Sequence, residues 1–148
     1  YSEDIYVISC GFKEFIEPIV AHYNIPAHKV YANTFTYDEK GNITGFDKEN
    51  VLSSHNGKIE CLKRMNLDGE VQVIGDGYSD YVMREAGIAD KFFAYTENVS
   101  RDKTTENADH IAPNLDEFLY VNKLPRNISY PKNRIKILLL EISRSCFQ

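Results

Sequence analysis

The chain has 148 residues, enough for one domain with a short extra segment, and its 43% hydrophobic content can supply a real core. With 26% charged residues and a net charge of -5, it lacks the electrostatic footprint of a protein that binds nucleic acid or an anionic membrane, and neither is expected as a partner. No stretch approaches the roughly 18 apolar residues of a membrane span, and three cysteines without CxxC spacing (Cys10, Cys61, Cys146) suggest neither a disulfide framework nor a zinc knuckle, so the expected compartment is cytoplasmic.

IYVIS, from Ile5 to Ser9, is a β-branched apolar run with the pattern of a strand buried on both faces. After Gly11, the apolar residues Phe12, Phe15, Ile16, Ile19, Val20 and Tyr23 recur at helical spacing, and Pro18 is expected to break or kink that helix. Alternating residues around Glu39 to Asn42 predict a β-hairpin from Val30 to Phe46. A second helix is expected from Gly57 to about Asn66, then a buried strand from Val71 to Gly75 and a helix from Tyr78 to about Ala86, stopped by Gly87. KFFAYT reads as a third strand, Val99 to Asn107 as a short helix, DHIAP as a fourth strand, and Leu115 to Tyr120 as a last turn capped by Asn114.

Strands separated by helices predict an α/β domain: an open, mostly parallel, Rossmann-like sheet with helices on both faces, plus the hairpin. Such sheets bind ligands at the carboxyl ends of their strands. The main domain is expected over residues 1–120, followed by a linker over 121–133, which contains two prolines and several turn-formers. The apolar run RIKILLLE, Arg134 to Glu141, reads as an isolated strand within a tail of residues 134–148.

Asp76 ends a buried strand between Gly75 and Gly77, and Asp80 falls in the first turn of the next helix, so both carboxylates can face one pocket. Magnesium suits that place, because it takes oxygen ligands and needs only one or two carboxylates beside water and a substrate phosphate. The bland alternative makes Asp80 a favourable charge at a helix N-terminus and Asp76 a turn residue. Lys58 falls in a first helical turn, where the macrodipole disfavours a cation; it either neutralises carboxylates and phosphate across a cleft or is a solvated surface lysine. Ser9 either offers its hydroxyl, with the amides that follow, to an anion or caps the helix. The four histidines, His22, His28, His55 and His110, show no metal-ligand spacing and are read as surface or structural.

The order of these parts resembles motifs two, three and four of the haloacid dehalogenase-like (HAD) hydrolases. YVISCGFKEFIEPIV, NGKIECLK and VIGDGYSDYVMREAG are similar to the phosphoserine phosphatase branch, over about Ile5 to Tyr120. The resemblance implies a magnesium-dependent phosphomonoesterase of serine biosynthesis that acts on a small, phosphoserine-like substrate. It implies that Ser9, Cys10 and Gly11 bind the phosphate, that Lys58 binds it and serves catalysis by holding it electrostatically, and that Asp76 ligates Mg2+ with Asp80 supporting it. Cys10 stands where that branch usually has glycine.

The same family relies on an N-terminal D-x-D-x-[TV] strand that supplies the nucleophile and the general acid and base, and on a helical cap. The aspartates here are at 4, 38, 47, 68, 76, 80, 90, 102, 109 and 116, and no two are two apart. The expectation is therefore a partial core, cut at both ends and inactive alone. SYPKNRIKILLLE resembles the opening of a D-3-phosphoglycerate dehydrogenase, which implies a fused or associated dehydrogenase domain. The alternative is a non-catalytic binding or assembly module derived from the same fold. Because the missing strand would lie between those ending in Ser9 and Asp76, RIKILLLE is a candidate to fill the vacancy.

Overall fold

The computed structural model describes residues 2–124 and the backbone of residues 135–139. From the N-terminus, β1 (Ile5–Phe12) leads into α1 (Lys13–Ala21), β2 (Val30–Asn33), β3 (Phe35–Tyr37) and β4 (Ile43–Phe46). Next come α2 (Gly57–Met65), β5 (Glu70–Gly75), α3 (Tyr78–Glu85) and β6 (Lys91–Tyr95). The order closes with α4 (Asp102–Thr105), β7 (His110–Ala112), α5 (Leu115–Val121) and β8 (Ile135–Leu139). Six strands form one sheet in the order β2-β1-β8-β5-β6-β7, and every neighbouring pair is parallel.

Alternation along the strands explains why helices cover both faces. Ile8 of β1, Val71 and Val73 of β5, and Phe92 and Ala94 of β6 pack with Cys61 and Leu62 of α2 and Met83 of α3. Their neighbours point the other way: Val7 packs with Ile16 and Val20 of α1, while Ile74 and Phe93 pack with Phe118 of α5. Phe92 and Phe93 are both fully buried, one on each face. Full burial of such a side chain is worth about 2–3 kcal/mol, so β6 ties the two layers together.

Several expectations change in detail. Pro18 lies inside α1 without ending it; the helix closes at Ala21, three residues later. The segment from Val30 to Phe46 is not one hairpin. Its first part joins the main sheet as β2, parallel to β1, and only β3 and β4 pair antiparallel. The physical reason lies in the buried Val30 and Ala32, which belong to the α1 side of the core, whereas β3 and β4 are largely exposed. α4 spans only Asp102–Thr105 of the helix expected over residues 99–107. Asn114 caps α5 as expected, its Oδ1 accepting from the Glu117 amide at 3.0 Å.

β8 occupies the slot between β1 and β5. Of the linker expected over 121–133, Val121 ends α5 and Leu124 is buried beside Phe118, while residues 125–133, the ends of the RIKILLLE run and the tail beyond lie outside the described residues. In register, Val7 pairs with Leu139, and Leu139 with Ile74. One row of the sheet thus carries Val7, Leu139 and Ile74, which sets the height of everything at its carboxyl edge.

Candidate active site

Ser9 lies two residues beyond Val7, and Asp76 two residues beyond Ile74. Because those starting residues share a row, Ser9 and Asp76 both lie beyond it, toward the carboxyl edge of the sheet. Sheet topology alone brings together residues that are remote in sequence.

Ser9 does not cap a helix. β1 continues to Phe12, which is the N-cap residue of α1 without a side-chain cap bond, and the buried Ser9 hydroxyl accepts from the Gly11 amide at 3.0 Å. The strand runs on because Phe12 pairs with Asn33 of β2, after a register shift following Ile8, and stacks on Phe35 with ring centroids 3.8 Å apart. Ser9, Cys10 and Gly11 therefore form the irregular end of a strand. Cys10 is exposed there, and its carbonyl accepts from Asn33 Nδ2 at 2.9 Å.

Lys58 is not a solvated lysine. It is 4% exposed, and its Nζ donates to Asp80 Oδ1 at 2.6 Å and to Ser79 Oγ at 3.4 Å. Gly57 makes this approach possible: a Cβ at that position would stand 2.4 Å from the Val51 carbonyl oxygen, so only glycine lets α2 begin directly against that turn. The cation tolerated at the helix start answers to a carboxylate on the neighbouring helix.

Asp80 is fully buried at the third position of α3. Its Oδ2 accepts from the Gly77 amide at 3.0 Å while Oδ1 meets Lys58. It satisfies the helix N-terminus, as the plainer reading expects, and it also anchors a lysine, so each of its oxygens already meets a protein donor. Gly75 is required for that fit, because a Cβ there would come within 2.3 Å of Asp80 Oδ2.

Asp76 is placed differently, at the mouth of the edge. Its Oδ2 accepts from Arg101 Nη1 at 2.6 Å, and its carbonyl oxygen accepts from the same nitrogen at 2.6 Å. Its Oδ1 is buried with no hydrogen-bond partner among the described residues. An acceptor left without a donor in a buried position is a site where a cation fits. No group of three or more His, Cys, Asp or Glu side chains among the described residues is placed to hold a metal. An ion at Asp76 would thus draw its remaining oxygens from phosphate and water, which is how magnesium commonly sits.

Two cations at this edge escaped the reading of the sequence. Arg101 precedes α4, and Lys103 within α4 lies over the Tyr78 ring, 4.0 Å from its centroid. Nothing in their spacing marks them; only the adjacency of β5 and β6 brings this loop back over Asp76. A cleft of about 340 Å3 is lined by Cys10, Phe12, Asn33, Phe46, Leu52 and His55 among others. Among the histidines, His110 Nε2 lies 2.9 Å from Glu117 Oε1, and His55 lines the cleft. No helix among the described residues is long and apolar enough to cross a membrane.

A parallel α/β sheet with helices on both faces, ending in a buried lysine–aspartate pair beside an aspartate at the strand end, defines the class. The chain belongs to the haloacid dehalogenase-like hydrolase family, which matches residues 2–85. Among its relatives, the chloroplastic phosphoserine phosphatase of Arabidopsis thaliana is 32% identical over 109 residues, 72% of this chain and 37% of that protein. The Homo sapiens phosphoserine phosphatase is 33% identical over 107 residues, 70% of this chain and 47% of that protein. The chain thus spans less than half the length of these relatives.

Among solved structures, a phosphoserine phosphohydrolase-like protein from Francisella tularensis superposes with a TM-score of 0.71 at 33% identity, covering 80% of this chain and 55% of that one. DsGPDH of Dunaliella salina superposes with a TM-score of 0.60 at 26% identity, covering 78% of this chain and 19% of that one.

Proposed function

We propose that the chain is part of a magnesium-dependent phosphomonoester hydrolase of the phosphoserine phosphatase type, with a small phosphoserine-like molecule as substrate. The observation that carries this reading is the buried Lys58–Asp80 pair set beside Asp76, whose Oδ1 is buried and unpartnered among the described residues. The phosphoserine phosphatase relatives, matched over about 70% of the chain, support the substrate class.

In this reading the Ser9 hydroxyl, which accepts from the Gly11 amide and keeps its own proton to donate, binds the phosphoryl oxygens, with Cys10 and Gly11 shaping the irregular strand end around them. Lys58 supplies positive charge toward the same anion, and Asp80 holds the lysine in place from beneath. Asp76 offers the ligand oxygen for Mg2+; when bound, the ion neutralises phosphoryl charge. The cleft beside Cys10 has room for the organic part of the substrate. A fused or associated dehydrogenase domain extends the proposal, suggested by the RIKILLLE run; the DsGPDH superposition is compatible with it. The expected setting is serine biosynthesis in the cytoplasm.

These residues bind and orient a phosphate, but none of them is placed here as the attacking group. No two aspartates stand two apart anywhere in the sequence, so these 148 residues alone are expected to hydrolyse phosphoserine at or near the background rate. The test is thermal unfolding with magnesium and O-phosphoserine, followed by a phosphate-release assay. A rise in midpoint with phosphoserine but not serine, with no turnover, is expected. No shift with either ligand contradicts the site, and brisk turnover abolished by Asp76→Asn contradicts the inactivity.

A second reading is favoured by one observation: the slot between β1 and β5 is taken by the chain's own β8. A sheet completed in that way suits a non-catalytic binding or assembly module. In the same assay that module would unfold at one midpoint whatever phosphorylated ligand is present.

A further inference from the structure

We propose that Arg101 is a tethered counter-cation that competes with the divalent ion for Asp76 and sets how tightly this chain holds it. The proposal rests on the reading of Asp76 as the magnesium ligand. The guanidinium lies where a cation would otherwise act, since Arg101 Nη1 donates at 2.6 Å to Asp76 Oδ2 and at 2.6 Å to the Asp76 carbonyl oxygen.

Exposure makes the pair exchangeable rather than permanent. Arg101 is 44% exposed and Asp76 only 13%, so the carboxylate is fixed in the wall while the guanidinium reaches it from the solvent side. Arg101 comes from the loop after β6, and its backbone is extended (φ -126°, ψ 120°) ahead of the four-residue α4. Displacing it from Asp76 moves a loop side chain. Lys58, by contrast, is sealed against Asp80 and cannot exchange in that way.

The charges give the sign. A guanidinium on Asp76 neutralises the carboxylate and repels an arriving divalent ion at contact distance. Asp76 Oδ2 is the oxygen the guanidinium covers and Oδ1 lies buried behind it, so an ion arriving from solvent meets Arg101 first, and its binding to the carboxylate weakens the Arg101 contact. A partly exposed ion pair gives an effect of a few-fold in affinity, graded by what replaces the arginine. Lysine keeps the charge but loses the planar fork.

The experiment is calorimetric titration of magnesium chloride into the full chain, the wild type beside Arg101→Gln, Arg101→Lys and Asp76→Asn, with circular dichroism to verify that each folds. Arg101→Gln is expected to bind magnesium about two- to fivefold more tightly than wild type, Arg101→Lys to fall between them, and Asp76→Asn to lose binding. If Asp76→Asn loses binding while Arg101→Gln binds as wild type or more weakly, the competition is overturned and the metal reading of Asp76 stands. If Asp76→Asn binds like wild type, or if no variant binds, the metal reading itself fails and the proposal falls with it.

Discussion

Lys58 and Asp80 form a buried ion pair, with 2.6 Å between Nζ and Oδ1 and with side chains that are 4% and 0% exposed. Removing one partner of such a pair leaves the other charge desolvated and uncompensated, which costs about 3–5 kcal/mol. Lys58→Met and Asp80→Asn are each expected to lower the free energy of urea unfolding substantially. The double variant Lys58→Met/Asp80→Leu should recover part of the loss, because no charge is then left buried. Single variants within about 1 kcal/mol of wild type would be incompatible with this pair as an anchor.

The fit of Asp80 beneath the strand depends on Gly75. In Gly75→Ala the new methyl would approach Asp80 Oδ2 to 2.3 Å, so the carboxylate or the strand has to move. Overpacking of this kind costs about 1–3 kcal/mol. The same variant should also weaken any gain in melting temperature on adding phosphoserine and magnesium, since the lysine loses its anchor. A Gly75→Ala protein as stable as wild type would show that the edge yields more easily than its packing suggests.

Cys61 of α2 provides a pH test of the core. Burial pushes its thiol up to about 11, against about 8.5 for an unperturbed cysteine. A group whose folded value is raised contributes stability that is present below the unfolded value and lost as pH rises toward the folded one. The melting temperature should therefore fall between about pH 8.5 and 11, and fall less steeply in Cys61→Ala. Burial also raises Tyr31, which acts in the same direction and remains in both proteins. Parallel pH profiles for the two would rule out Cys61 as a contributor.

The ordering of strands and helices was legible because its signals are local. IYVIS and VQVIG are apolar runs short enough to be strands, Gly87 marks where α3 stops, and Asn114 marks where α5 starts. The division of Val30 to Phe46 was not, since alternation cannot say which sheet a strand joins; that was decided by burial of Val30 and Ala32 beneath α1. The unusual placement of Lys58 was visible as a cation at a helix start, yet its partner was not, because the pairing depends on α2 lying beside α3. Arg101 gave no local signal at all.

The place of β8 predicts a strong dependence on the end of the chain. β1 and β5 both hydrogen-bond to β8, and among the described strands they do not bond each other. A chain ending at Leu124 would leave two apolar strands with unpaired edges in the middle of the sheet, which promotes association. Size-exclusion chromatography should show aggregation and a lost or lowered unfolding midpoint. A monodisperse, equally stable truncated protein would mean that β8 contributes little to the sheet.

Convergence of Ser9, Lys58 and Asp76 on one phosphate is tested most directly by crystals grown with magnesium and tungstate, a tetrahedral oxyanion visible by its anomalous scattering. A single tungstate is expected within hydrogen-bonding distance of the Ser9 hydroxyl and the Lys58 ammonium, with magnesium on the Asp76 carboxylate and Arg101 turned away. Tungstate bound elsewhere, with the edge between Ser9 and Asp76 holding only water, would contradict it.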